Sequence, residues 1–143
     1  MKILVINGPN LARLDIRDSS IYGDLNYGEL KSLIEGAALT HGFEADVRQS
    51  DDEATIIGWL HEAADKKIPV IINPAAFTHY SYAIRDAAEL LTSPLIEVHL
   101  SNPMSREEFR HTSVIAGVAT GTIAGFGPNS YVLAIIALKN LIG

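Results

Sequence analysis

Short apolar runs alternate with stretches whose apolar residues recur every three or four positions, along all 143 residues of the chain. Lys2–Asn7, carrying Ile3-Leu4-Val5-Ile6, reads as a buried strand. Tyr27–Thr40 places Leu30, Leu33, Ile34, Ala37 and Ala38 on one helical stripe, which Gly42 closes. Phe43–Gln49 alternates as a strand does. Asp51 or Asp52 can cap the next helix, whose apolar face is Ile56, Ile57, Leu60 and Ala63. Val70-Ile71-Ile72, entered by Pro69, makes a third strand, and Ser81–Leu91 is helical. Leu95–Leu100 and Thr122–Phe126 supply strands four and five, and Pro128 opens a last helix that runs through Leu141.

Five such units with mostly short connections predict an α/β fold, a parallel sheet covered by helices on both faces. Right-handed crossovers make it doubly wound, flavodoxin-like, with strand order 2-1-3-4-5. Without internal repeat or linker, residues 1–143 read as a single domain. Two connections are long: Gly8 to Gly23, and Asn102 to Thr120 with its polar run Ser105-Arg106-Glu107-Glu108-Phe109-Arg110-His111. Long connections of this kind are usually lids or binding loops. Ligands of open α/β sheets sit beyond the carboxyl ends of the strands, and both long connections start there.

Composition narrows the function classes. A formal charge of −6 with no cluster of Lys and Arg argues against a nucleic-acid surface. No apolar run approaches the ~18 residues of a membrane span, and the first residues read as a strand rather than a signal peptide. The chain has no cysteine, so neither disulfides nor thiolate metal sites arise, and a cytoplasmic location is expected. The five lysines, Lys2, Lys31, Lys66, Lys67 and Lys139, fall away from the carboxyl ends of the strands.

Strand four carries the clearest candidate chemistry. Alternation puts Glu97, His99 and Ser101 on one face and Ile96, Val98 and Leu100 on the other. A sheet covered on both sides holds a glutamate and a histidine only if they satisfy each other. Glu97 can fix the tautomer of His99 and raise its proton affinity, which builds a general acid; the alternative is a structural ion pair at a strand end. The spacing shows no third ligand for a metal. In the first loop, Arg13 or Arg17 held near Tyr22 would favour a phenolate able to take a proton from carbon. The alternative there is a solvated arginine and a packing tyrosine. Asn73-Pro74-Ala75-Ala76-Phe77-Thr78-His79 leads into a helix on which His79 and Asp86, seven residues apart, share nearly one face. Asn73 and His79 can bind ligand hydroxyls or serve as turn and cap residues. Arg110 can hold a carboxylate through paired hydrogen bonds or stand exposed on a helix.

Taken together, these pieces resemble the type II 3-dehydroquinate dehydratase family from Lys2 to about Leu141. The matching stretches are Asn7-Gly8-Pro9-Asn10-Leu11, Arg17 with Tyr22-Gly23, Ile72-Asn73-Pro74 with Thr78-His79, and Ala83-Ile84-Arg85-Asp86. The strongest is Glu97-Val98-His99-Leu100-Ser101-Asn102 followed by Arg106-Glu107-Glu108-Phe109-Arg110-His111. The resemblance implies a cofactor-free, metal-free anti elimination of water from 3-dehydroquinate through an enolate. It assigns Tyr22 as base, Arg17 as its activator, and Asn10 as holder of a water on the enolate oxygen. His99, oriented by Glu97, becomes the acid. Asn73, His79, Arg110 and the Leu100-Ser101-Asn102 segment become substrate-binding, and Asp86 acts partly across a subunit boundary of a dodecamer built from trimers. The same step serves aromatic biosynthesis and quinate breakdown.

The chain departs from the family pattern at Ala12, Asp15 and Ser19 in the first loop, where Asn, Gly and Pro are usual. It departs also at Ala75, Phe77 and Ser130, where Gly, Tyr and Gly are usual. Asp15 brings a negative charge near Arg17; a pair between them would weaken the activation of Tyr22. Two other function classes stand beside the enzyme. A flavodoxin-like binding module for a nucleotide or flavin wants a loop rich in Gly, Ser and Thr before its first helix, which Gly8-Pro9-Asn10-Leu11-Ala12-Arg13 does not supply. A catalytically dead scaffold would not need Tyr22, Arg17 and His99 together.

Overall fold

β1 (Lys2–Asn7) is buried from Ile3 onward, as a strand flanked on both edges and covered on both faces must be. The structure, a computed structural model, describes residues 1–142. β1 pairs with β2 (Glu44–Gln49) on one side and β3 (Val70–Asn73) on the other; β4 (Leu95–His99) and β5 (Gly121–Ala124) follow. The sheet is parallel throughout, in the expected order β2-β1-β3-β4-β5. Its helices are α1 (Ser19–Tyr22), α2 (Tyr27–Thr40), α3 (Glu53–Lys66), α4 (Tyr82–Glu89) and α5 (Asn129–Ile142).

The two-residue repeat of the strands sorts their side chains into two cores. Ile3, Val5, Ile71, Ile96 and Val98 pack against α2 and α5, meeting Leu30, Ile34, Ala134 and Leu138. Leu4, Ile6, Val70, Ile72 and Leu95 pack against α3 and α4, meeting Ile56, Leu60, Ile84 and Ala87. Each fully buried aliphatic side chain contributes about 1.5–3 kcal/mol, so these two layers hold the sheet between its helices.

The element ends have local causes. Asn26 and Glu29 close α2 with a capping box. Asp52, rather than Asp51, caps α3 by accepting from the Thr55 N–H at 3.1 Å. Asp51 is engaged elsewhere, accepting from the backbone of Asn10. The fourth helix is shorter than expected, because Ser81 serves as its N-cap and it ends at Glu89. The fifth strand is displaced from the expected Thr122–Phe126. It starts at Gly121 and stops at Ala124, because Gly125 turns away at φ 96° and the Phe126 N–H donates to Ser130 Oγ. Neither long connection is shapeless. The first begins with a 3₁₀ turn, Leu11–Ile16, anchored by buried Leu11 and Leu14, and the second holds three short 3₁₀ turns.

Candidate active site

The carboxyl ends of β1 and β3 are tied together beneath the site. The Tyr131 hydroxyl on α5 donates to Asn7 Oδ1 at 2.6 Å and accepts from Asn73 Nδ2 at 2.9 Å. Burial pushes the Tyr131 phenol far up, outweighing its hydrogen bond from Asn73, so the group remains a neutral donor. Asn73 Oδ1 in turn accepts from the Ala75 N–H at 3.1 Å, which holds the turn that follows β3. Gly8, just past β1, lies so close to Pro74 that a Cβ there would meet its carbonyl oxygen at 2.6 Å. Glycine is required at that crossing.

Above this floor the first loop delivers its polar groups. Asn10 adopts the left-handed region at φ 70°, its N–H held 2.9 Å from Asp51 Oδ1. Asp18 caps α1 through Ser20, so Arg17 and Tyr22 flank one short turn. The Arg17 guanidinium lies over the Tyr22 ring, 3.5 Å from its centroid, and a second guanidinium, that of Arg106, lies 5.0 Å from the same centroid. Asp15 does not pair with Arg17; its carboxylate accepts from Arg13 Nε at 3.2 Å.

β4 supplies the opposite chemistry. Glu97 is 1% exposed, and its Oε2 accepts from His99 Nε2 at 2.5 Å. Burial alone would raise the Glu97 carboxyl. Hydrogen bonds from His99, Thr78 and Ser113, with the attraction of His99, outweigh it and hold the carboxyl below its usual range. Nδ1 is left as the ring nitrogen of His99 able to exchange a proton with a ligand. His79, at the end of the 3₁₀ turn Ala75–His79, has Nδ1 2.8 Å from the carbonyl of Thr112, and among the described residues its Nε2 has no hydrogen-bond partner. Arg110 Nε donates to Glu107 at 3.0 Å.

One cleft at the strand ends is lined by Asn10, Arg17, Tyr22, Asn73, His79, His99, Leu100, Ser101 and Arg110. Those nine expected residues are brought together; three lie outside. Glu97 stands behind His99. Asn102 caps a 3₁₀ turn through the Met104 N–H, beside the cleft. Asp86 is exposed on α4, away from it. His79 and Asp86 do not share a helix face, because the helix begins only at Tyr82. Arg106 and Thr78 lie in the matching stretches with no role assigned, and Ser113 lies in none. Arg106 lines the cleft and bonds Ser101 Oγ at 3.2 Å, and the two hydroxyls bond Glu97. A basic residue at the start of the second loop was a usable signal for Arg106; serine and threonine carry none.

Among the described residues no lysine lines the cleft, and no three His, Asp or Glu side chains gather in a way that could hold a metal ion. No helix in that range is long and apolar enough to cross a membrane.

Comparison with known proteins places this architecture. A 3-dehydroquinate dehydratase of Mycobacteroides abscessus is 54% identical over 135 residues, 94% of each chain. One from Caldicellulosiruptor bescii is 51% identical over 142 residues, covering 99% of this chain and 98% of that one. The crystal structure of a type II dehydroquinase from Propionibacterium acnes superposes with a TM-score of 0.95 at 48% identity, covering 97% of this chain and 96% of that one. The model of the family described as dehydroquinase class II matches residues 1–139. The chain therefore belongs to the class II dehydroquinase family.

Proposed function

We propose that this protein dehydrates 3-dehydroquinate to 3-dehydroshikimate by splitting the elimination into two proton transfers. The observation that carries the reading is a tyrosine under two guanidiniums in the same cleft as a histidine held by a buried carboxylate. Tyr22, as phenolate, removes the proton next to the ketone, and the electron pair passes to the carbonyl oxygen as an enolate. Asn10 helps hold a water against that oxygen, and Arg17 steadies the anionic base. The enolate then expels the β-hydroxyl, which leaves as water with the proton that His99 delivers from Nδ1. Proton exchange with solvent returns Tyr22 and His99 to their starting states.

Asn73, His79, the Leu100-Ser101-Asn102 segment and Arg110 bind the ring hydroxyls and carboxylate, and no cofactor or metal takes part. Asn73 also holds the Ala75–His79 turn, since its amide is engaged with Tyr131 and Ala75. Asp86 reaches a site of a neighbouring copy in a dodecamer of four trimers. The single domain works in the cytoplasm, in aromatic biosynthesis or quinate breakdown.

The test is the ultraviolet absorbance of the conjugated enone product. Purified protein should generate it from 3-dehydroquinate, with chelator present or absent and with no adduct trapped by borohydride. Folded protein that yields no such absorbance would refute the assignment, and a borohydride-trapped lysine would replace the mechanism.

A further inference from the structure

Glu97 collects more hydrogen bonds than orienting one imidazole requires. Besides His99, its Oε2 accepts from Thr78 Oγ1 at 2.5 Å, and the Ser113 hydroxyl lies 2.8 Å from Oε1 and 3.0 Å from Oε2. Ser113 Oγ itself accepts the N–H groups of Ile115 at 3.1 Å and Ala116 at 3.0 Å. With its lone pairs used in that way, the Ser113 hydroxyl acts as a donor, toward the carboxylate on one side and toward Thr78 Oγ1, 2.8 Å away, on the other. Thr78 and Ser113 come from different segments, joined by a bond of 2.7 Å from the Val114 N–H to the Thr78 carbonyl.

We infer that Thr78 and Ser113 are positioning residues, a pair of hydroxyls that holds Glu97 as an ionised acceptor and so decides which nitrogen of His99 faces the substrate. This inference rests on the reaction proposed above and adds residues to it. A carboxylate this buried favours its neutral form unless donors fill its lone pairs. Two O–H donors do so and stop the group from rotating. Glu97 then accepts from Nε2–H, and Nδ1 is kept for the leaving hydroxyl. Once Glu97 takes up a proton it no longer holds the ring in that state, and the acid is lost. The charged and titratable groups facing the pair are His79, Arg110 and His111 in the hollow beside Glu97, and Tyr22, Arg17 and Arg106 in the cleft beside His99.

The test compares Thr78→Val, Ser113→Ala and Thr78→Ser in the full-length protein. Titration of ¹³C-labelled glutamate by NMR, without substrate, reads the pH at which Glu97 takes up a proton. Loss of either hydroxyl should move that pH upward by about one unit. It should lower kcat roughly tenfold with KM little changed, and shift the acidic limb of the kcat profile upward with the NMR titration. Thr78→Ser should restore both. Folded Thr78→Val and Ser113→Ala proteins whose Glu97 titrates as in the parent would overturn the inference, as would a Thr78→Ser protein that behaves like Thr78→Val. If the parent turns over no 3-dehydroquinate, the proposed reaction fails, and the NMR comparison alone decides the role of the hydroxyls.

Discussion

Asp15 holds Arg13, its Oδ1 3.2 Å from Nε, and by doing so leaves Arg17 free to lie against Tyr22. Both partners of the pair are more than half exposed, so the bond is screened and weak. Asp15→Ala should leave the melting temperature within about 2 °C and turnover within about twofold of the parent. Arg17→Ala, in contrast, should lower kcat by about a hundredfold. Thermal melting and the ultraviolet assay, run on both variants, check this.

Tyr22→Phe keeps the ring and the cation contacts over it and removes only the hydroxyl. Turnover should fall by about 10²–10⁴-fold while affinity for a substrate-shaped inhibitor stays within a few-fold. Calorimetric binding beside the kinetic assay separates the two. Activity near the parent's would move the base to another residue.

Tyr131→Phe should destabilise the fold by about 2–4 kcal/mol, since it strands the Asn7 carbonyl and the Asn73 amide in a buried place. Urea unfolding measures the loss. Turnover should fall as well, because the Ala75–His79 turn is fastened through Asn73.

Ala75 sits at φ 53°, a region that costs a side chain about 1–2 kcal/mol and glycine little. Glycine loses some of that gain through its freer unfolded chain. Ala75→Gly should therefore raise stability by up to about 1 kcal/mol, read as a higher urea midpoint at unchanged slope.

Acid should unfold the protein partly through Glu97. Its folded carboxyl titrates below the ordinary 4.5, so below that value the unfolded chain binds more protons than the native one. The stabilisation is complete above pH 4.5 and is lost as pH falls through the lower, folded value. Asp46, held down first by its hydrogen bond from Arg48, contributes in the same direction. Glu97→Gln should flatten, without abolishing, the fall of melting temperature between about pH 5 and 3. An unchanged slope in that variant would remove Glu97 from the account.

Periodicity made most of this fold legible. The alternation along β4 separated Glu97 and His99 from Val98 and Leu100, and the structure keeps that division. Apolar stripes located α2 and α3 to within a few residues. What escaped depends on backbone turns or on distant partners. Gly125 ends β5 early through a positive φ that no hydropathy pattern encodes, and the Ser81 cap detaches His79 from the helix bearing Asp86. Thr78 and Ser113 are 35 positions apart and meet only through the folded turns, so neither announced itself beside Glu97. The candidate cleft was readable because its residues crowd the strand ends, and so was Glu97 behind His99; the two hydroxyls around Glu97 were not.

Three guanidiniums, of Arg17, Arg106 and Arg110, line the cleft of a chain whose net charge is −6. An approaching anion therefore crosses a region of unfavourable potential before it reaches a favourable one. At physiological ionic strength the Debye length is about 8 Å, which mutes the acidic exterior more than the cations at contact range. Capture of an anion is then decided in the last few ångströms, and long-range steering contributes little to its speed.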